Sequence, residues 1–348
     1  MQQSHVSPHS AAGAFKRHAA TLAGLVIGFI FLYLAFAKVD LSEVWRQISN
    51  LALYQTLIAT ALTLSALLLR GLRWWYLFPR PHRRGELWQS IRALSIGYGV
   101  TNVASRLGEV VRVVSFYRRT DRDIGAVSAT VVLDRILLDL SVFALLVGFS
   151  MTVFHERLTT LFPSAASALW ALTGLIGLGL AGLFWTAAAP ASLKKLVAFT
   201  GLPRFPAVWQ RLENLIDQVS GGLTVMTSPS AYLGLFAVNT AAWGASILML
   251  GYIMTLFGVA ARPAEVLLIF AVSNLGMILP SPGGIGTYHY FTALGLTRLM
   301  GVDEVTASAL AAYAHGISYI SYSLFALVAW LIPGEKPAAT AAASAELV

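Results

Sequence analysis

Long apolar runs separated by short polar stretches dominate the chain, and each run predicts a membrane-spanning helix. A helix needs about 17 to 25 predominantly apolar residues to cross the hydrocarbon core of a bilayer. Runs near that length lie at residues 21–37, 51–69, 126–152, 166–188, 231–257 and 306–332. We therefore expect an all-α, polytopic membrane helix bundle with six full spans.

Two further apolar regions are interrupted, one by charges and one by helix breakers. The region 91–117 contains Asn102 and the charged run Ser105–Arg112, whereas the region 264–298 contains the run Leu279–Thr287, which holds two prolines and three glycines. Proline lacks an N–H donor, and glycine favours an unwound backbone. Broken backbone at membrane depth persists only when it is buried in protein or lines a cavity. Each region therefore predicts a re-entrant hairpin.

The order of these elements predicts an inverted repeat. Each half of the chain contains a hairpin followed by a long span, and the first hairpin opens from the cytoplasm whereas the second opens from the outside. In transporters built this way, the site lies near the bilayer midplane, where the hairpin tips meet. Eight full helices are the alternative arrangement. We expect one transmembrane domain over 19–332, with disordered tails at 1–18 and 333–348.

The basic residues indicate orientation rather than nucleic-acid binding. The net charge is +8, but only 11% of residues are charged and 57% are hydrophobic, whereas soluble domains carry about 25% charged residues. Lys16, Arg17 and the basic loops all fall on one predicted side, including Arg70 and Arg73 after the second run. By the positive-inside rule, the N-terminus is cytoplasmic in a bacterial inner membrane.

Common catalytic and cofactor motifs are missing from the sequence. The chain has no cysteine, which excludes disulfides and thiolate metal sites. It contains no P-loop, HExxH or GxSxG motif. We therefore expect no cofactor, no metal and no enzymatic activity of the chain on its own.

The first hairpin carries a candidate anion site. Arg106, Glu109 and Arg112 are spaced three apart, so they follow one side of a helix and can reach each other. If the two arginines neutralise Glu109, a net positive cluster remains, which suits a phosphate or another anionic head group. The alternative is an ion cluster at the cytoplasmic membrane surface that has no ligand.

A second charged group lies within the third apolar run. Asp134, Arg135 and Asp139 interrupt a segment that is otherwise apolar, and such residues normally face a bundle interior and pair with one another. Arg135 and Asp139 are four apart and predict an ion pair. Asp134 points elsewhere and is free to pair with the arginines of the first hairpin. A helix-packing salt bridge and a proton relay are the alternatives.

The glycine-rich break of the second hairpin is another candidate anion site. A half-helix beginning near Thr287 would present free amides and its positive dipole end to a ligand. A tight turn without ligand is the alternative, and His289 is more typical of a packing residue than of a metal ligand. The candidate contacts in this half of the chain are Asn274, Pro280, Ser281, Gly283, Gly284, Gly286, Thr287 and His289.

Three segments in this order resemble the flippase-like transmembrane family, which includes the membrane region of lysylphosphatidylglycerol synthases. They are Ser105–Arg112, Leu133–Asp139 and Pro280–Gly286, and the resemblance covers residues from about 20 to 332. It implies movement of lipids or lipid-linked intermediates between leaflets, with Arg106, Glu109, Arg112, Asp134, Arg135, Gly283, Gly284 and Gly286 at the positions of the family's functional residues. Many members have Glu where this chain has His289, and the synthases carry an additional soluble domain.

Together these features predict a protein that binds a membrane phospholipid or an isoprenoid-linked lipid and moves it between leaflets. One alternative is a non-transporting scaffold or regulator of an envelope biosynthesis enzyme. Another is a lipid-modifying enzyme that uses Asp134 or His289 for proton transfer.

Overall fold

A computed structural model describes residues 8–78, 80–104, 107–161, 163–223 and 229–332. Over these residues the chain is helical and contains no β-strand. A π-helical segment, Asp134–Asp139, joins the sixth helix to the seventh. The helices are α1 (Pro8–Phe36), α2 (Leu41–Ser49), α3 (Leu53–Tyr76), α4 (Glu86–Val103), α5 (Gly108–Tyr117), α6 (Ile124–Leu133), α7 (Leu140–Val153), α8 (His155–Leu161), α9 (Pro163–Ala188), α10 (Pro190–Ala198), α11 (Pro206–Leu223), α12 (Pro229–Leu256), α13 (Pro263–Ile278), α14 (Thr287–Met300) and α15 (Glu304–Leu331).

Several helices are long and apolar enough to cross a membrane, which makes this a multi-pass membrane protein. In the described part of the chain there are four: Leu53–Tyr76, Ile124–Val153, Ser230–Leu256 and Glu304–Leu331. A fifth span results if α1 and α2, which bend by 84° at their junction, are counted as one. The expected span at 166–188 lies within α9, whose apolar stretch Ser167–Gly179 is shorter than a full span.

Helix α1 begins earlier than the sequence predicted. It starts at Pro8, so residues 8–18, which we expected to be a disordered tail, are helical. Proline is favoured at the first position of a helix, because its missing N–H would have no partner there, and alanine-rich sequence favours helix continuation. The expected tail at 333–348 lies outside the described residues, as do residues 1–7.

Both interrupted regions form pairs of packed helices. Helices α4 and α5 pack against each other, as do α13 and α14. The two predicted hairpins at 91–117 and 264–298 therefore correspond to helix pairs; α4 ends at Val103 and α5 begins at Gly108, whereas α13 ends at Ile278 and α14 begins at Thr287. Glycines allow close approach in both pairs. A Cβ atom on Gly97 would lie 2.9 Å from the Gly108 carbonyl oxygen, and one on Gly276 would lie 2.6 Å from the Thr287 carbonyl oxygen.

The hydrophobic core has two parts that hold these hairpins. One cluster joins α7, α12, α13, α14 and α15 through residues such as Ile253, Leu268 and Leu310. The other joins α3, α4, α5 and α6 around aromatic rings, with Phe78 stacked on Phe116 at a centroid distance of 4.6 Å. Each hairpin is therefore anchored in its own apolar cluster.

Candidate functional site

Six charged side chains from three elements form a closed ring of ion pairs, which we call the charge ring. Arg73 comes from α3, Glu109 and Arg112 come from α5, and the other three come from the π-helical segment. The pairs run in the order Arg73–Asp134 (2.8 Å), Asp134–Arg112 (2.9 Å), Arg112–Glu109 (3.4 Å), Glu109–Arg135, Arg135–Asp139 (2.9 Å) and Asp139–Arg73 (2.7 Å).

The π-helical segment explains how one arginine reaches two acids of the same helix. Asp134 and Asp139 are five residues apart, and an α-helix turns about 100° per residue, so it would place them on different faces. The i→i+5 hydrogen bonding of a π-helix widens the turn and brings such residues closer to one face. The two guanidinium NH groups of Arg73 accordingly contact both carboxylates.

Burial makes these pairs different from surface salt bridges. The side chains of Arg73, Arg112 and Asp134 are only 1% exposed. Charges taken out of water are stable only with well-placed partners. Further contacts complete the environment: Arg73 donates to the Asn239 side-chain oxygen at 2.8 Å, and the Arg112 guanidinium lies over the Trp74 ring at 4.0 Å.

The structure confirms two predicted ion pairs. Arg135 pairs with Asp139, and Asp134 pairs with Arg112, as the sequence indicated. The charge ring contains three arginines and three carboxylates and is neutral by itself, whereas the net positive cluster expected of Arg106, Glu109 and Arg112 stays a prediction. Arg106 lies outside the described residues, so its role stays a prediction.

A cavity of about 480 Å³ lies beside the charge ring, between the two hairpins. Its walls come from both hairpins and from α3, α7, α12 and α15. Of the predicted contacts, it is lined by Asn102, Arg135, Asp139, Asn274 and Gly283. The other polar and aromatic side chains on its walls are Arg70, Tyr98, Thr101, Trp243, Ser246, Tyr288, His315, Ser318, Tyr319 and Tyr322.

The breaks of the two hairpins meet at this cavity. A Cβ atom on Gly283 would lie 2.9 Å from the Asn102 carbonyl oxygen, so glycine is needed for the close approach. The Asn102 side-chain amide donates to the Tyr319 carbonyl oxygen at 3.1 Å and to the Ser323 hydroxyl at 2.9 Å. His315 bonds to the Gly283 carbonyl oxygen at 2.9 Å. Helix α15 therefore holds both breaks in place.

The glycine turn uses several of its own amides. Gly283, Gly284 and Gly286 have φ values of 57°, 78° and 85°, which favour glycine. The Gly284 N–H donates to the Ser281 carbonyl oxygen at 3.2 Å, and the Gly286 N–H donates to His289 Nδ1 at 3.2 Å. These two amides are thus engaged within the turn and are not available to an anion in this conformation.

Other predicted residues of the second hairpin support the turn rather than line the cavity. The Ser281 and Thr287 hydroxyls lie 2.8 Å apart and are buried. Pro280 is exposed at the outer side of the turn, where a Cβ atom on Gly24 of α1 would lie 2.7 Å from its carbonyl oxygen. His289 caps the start of α14, as an acidic residue at the third helical position often does.

Two arginines of the site lie in a helix, although the sequence predicts a loop there. We ended the second span at Leu69, but α3 continues to Tyr76. Arg73 therefore joins the charge ring, and Arg70 lies on the cavity wall. Their spacing of three residues, continuing the helical period of an apolar run, is the signal that could have placed them in the bundle.

Among the described residues, no group of three or more His, Asp or Glu side chains has an arrangement that could hold a metal ion. The site is instead a cavity with one charged wall and several aromatic and neutral polar walls.

The described residues thus form an all-helical multi-pass membrane fold with a polar cavity between two broken helix pairs. The family model described as the lysylphosphatidylglycerol synthase TM region matches residues 21–326. The chain therefore belongs to this family, and the resemblance of its three segments is confirmed. No curated protein sequence matches the chain.

Proposed function

We propose that this protein binds the head group of an anionic lipid in the cavity between the hairpins and moves that lipid between leaflets. The observation that carries the proposal is the cavity itself, which combines membrane-spanning walls with arginine, amide and hydroxyl groups. Its volume of about 480 Å³ lies within the range of about 300 to 1,000 Å³ found for small-molecule sites. A head group fits this space, while the acyl chains remain in lipid.

The physical requirement for such a protein is to replace water around a charged head group. Polar groups moved into an apolar medium without partners cost several kcal/mol each, and charges cost more. A cavity lined by side chains that donate hydrogen bonds lowers this barrier. The family's membrane region, which the chain matches over most of its length, supports a lipid-related role.

The topology completes the proposal. The N-terminus is cytoplasmic in a bacterial inner membrane, the two hairpins are re-entrant, and they belong to inverted repeats with six full spans. Alternating exposure of the cavity to the two sides then moves the head group. The charge ring connects α3, α5 and the π-helical segment, so its pairing would bias which side is open, and the chain acts without chemistry of its own.

A non-transporting scaffold for an envelope biosynthesis enzyme is the second candidate. It is favoured by the internal balance of the charge ring and by the turn amides that are already engaged. Both features satisfy the protein's own polar groups and by themselves require no ligand.

Filling the cavity separates these functions. Ser318 lines the cavity, and its hydroxyl donates only along its own helix, to the Ala314 carbonyl oxygen at 3.1 Å. Ser318→Phe adds a ring to the cavity without removing an ion pair. Leu324→Phe on the same helix is the matched control, because Leu324 is 58% exposed. We expect Ser318→Phe alone to abolish lipid movement in reconstituted vesicles and selective lipid retention in native mass spectrometry.

A folded Ser318→Phe variant that moves lipids at the rate of Leu324→Phe would exclude the cavity as the pathway. A wild-type protein that retains only the average lipids of its membrane and moves none would favour the scaffold.

A further inference from the structure

We infer that Arg70 is the anion-binding group of the cavity and that it selects lipids with one phosphodiester charge and an otherwise neutral head group. The inference rests on the proposed function and specifies its substrate class. It follows from the distribution of charge around the cavity, which leaves one cation without a carboxylate partner in the described part of the chain.

Arg70 contacts only neutral groups in that part of the chain. One of its NH groups donates to the Ser246 hydroxyl at 3.1 Å, and the other lies 3.4 Å from the Tyr322 hydroxyl. Its guanidinium carbon lies 5.7 Å from the centre of the Trp243 ring. A guanidinium has five N–H donors, so most of its hydrogen-bonding capacity remains for a ligand.

The nearest acid of the charge ring already has two arginine partners. Asp139 lies on the same cavity wall, but one of its carboxylate oxygens contacts Arg73 at 2.7 Å and the other contacts Arg135 at 2.9 Å. The ring is neutral by itself, so Arg70 adds one uncompensated positive charge. A partly buried cation in a membrane protein is expensive unless an anion joins it.

Trp243 supplies a second unsatisfied group at the same place. Its side chain lines the cavity, and its indole N–H is buried without an acceptor among the described residues. A buried donor without a partner costs about 1 to 3 kcal/mol. The N–H has almost no accessible surface in this conformation, so a phosphate oxygen held by Arg70 would become its acceptor after the ring rotates toward the cavity.

The same charge distribution disfavours head groups that carry an amine. Asp139 is the one acid among the described residues that line the cavity, and it is already paired with Arg73 and Arg135, so the wall offers an ammonium group no free carboxylate. A second negative charge is also disfavoured, because Arg70 is the one cation without a carboxylate partner among the described residues that line the cavity. The remaining cavity groups, such as Asn102, Asn274 and Ser318, are neutral and suit hydroxyls.

The test is competitive lipid retention with native mass spectrometry on the full-length protein. The probes are phosphatidylglycerol with one negative charge, zwitterionic phosphatidylethanolamine, phosphatidate, whose monoester carries about 1.5 to 2 charges, and lysylated phosphatidylglycerol, which bears amines. We expect phosphatidylglycerol to be retained preferentially. Arg70→Gln should reduce this preference about tenfold, which corresponds to about 1.4 kcal/mol.

Two further variants guard against a misfolded Arg70→Gln protein. Arg70→Lys keeps the charge and should keep the preference for a negative head group, with weaker retention. Trp243→Phe keeps the ring and removes only the unpartnered N–H, so it should fold normally and weaken retention. Arg262→Gln is the control, because it removes an equal charge from a side chain that is 76% exposed.

The outcomes distinguish this inference from the proposed function. If the wild-type protein selects phosphatidylglycerol but Arg70→Gln and Trp243→Phe do so equally well, the assignment of Arg70 is wrong and the lipid function stands. Preferential retention of the amine-bearing lipids or of phosphatidate would overturn the charge rule. If the wild-type protein selects no lipid, the proposed function fails together with the inference.

Discussion

The interruptions of the two hairpins are held in place by different kinds of interaction. Near the break between α4 and α5, charged side chains of α5 form ion pairs with the π-helical segment, which in turn pairs with Arg73 of α3. The break between α13 and α14 is held by glycine backbone conformations, by hydroxyls and by a histidine cap. One side of the cavity is therefore charged and the other is neutral, so the anion recognition that we propose would depend on the first half of the molecule.

This comparison also predicts how substitutions in each region reduce the stability of the protein. The ion pairs of the charge ring are buried, so a lost partner leaves a charge without compensation. The glycine turn holds no charge, so its substitutions act through backbone strain and single hydrogen bonds. We expect the effects on stability to fall in that order.

The largest effect is expected at the centre of the charge ring. Asp134→Asn preserves the shape of the side chain but removes the carboxylate shared by Arg73 and Arg112. The free energy of unfolding in detergent should fall by about 3 to 5 kcal/mol, the range for a broken buried ion pair. Asp217→Asn is the control, because Asp217 pairs with Lys194 at the surface and its side chain is 61% exposed. This substitution should lower the free energy of unfolding by less than about 1 kcal/mol. Equal effects of the two substitutions would contradict this account of the ring.

An intermediate effect is expected in the glycine turn. Gly286 has a φ of 85°, and a Cβ atom there would collide with the Gly28 carbonyl oxygen of α1. Gly286→Ala should lower the unfolding free energy by about 1 to 3 kcal/mol through backbone strain, with the collision adding to it. Gly301→Ala tests strain alone, since Gly301 has a φ of 73° and open space around it. Thermal unfolding should show a greater loss of stability for Gly286→Ala than for Gly301→Ala. The opposite order would show that α1 moves away from the added Cβ atom at no energetic cost.

The smallest effect is expected at the cap of α14. His289→Leu removes the acceptor of the Gly286 N–H, whereas His289→Gln retains an acceptor at that position. The leucine variant should be less stable than the glutamine variant by about 1 kcal/mol, the typical net value of one hydrogen bond. Denaturant unfolding of the pair measures this difference. A leucine variant at least as stable as the glutamine variant would show that the cap has no energetic role.

Much of the fold could be predicted because apolar run length and helix-breaking residues act locally. The hairpin boundaries follow from the breaks near Asn102 and Gly283, and the Arg135–Asp139 pair follows from their spacing of four residues. These features require knowledge of only a few neighbouring residues.

The remaining features depend on residues far apart in the chain. Arg73 is stable inside the bundle because it pairs with Asp134 and Asp139. These partners lie 61 and 66 residues later in the chain, so a local sequence pattern cannot show the pairing. Arginines after an apolar run usually mark its interfacial end, which is why Arg70 and Arg73 were placed in a loop. The glycine turn presents a similar difficulty, because composition shows that its amides can be free but not that His289 accepts from one of them.

The closed form of the charge ring has a consequence for motion. Every one of its six members has two partners of opposite charge, so opening any single link turns the ring into a chain in which no member is isolated. In an open row of ion pairs, the residue at each end has only one partner, so breaking that contact leaves its charge unpaired. Two links of the ring join α5 to the π-helical segment, and breaking them one after the other leaves each of the six charges with at least one partner.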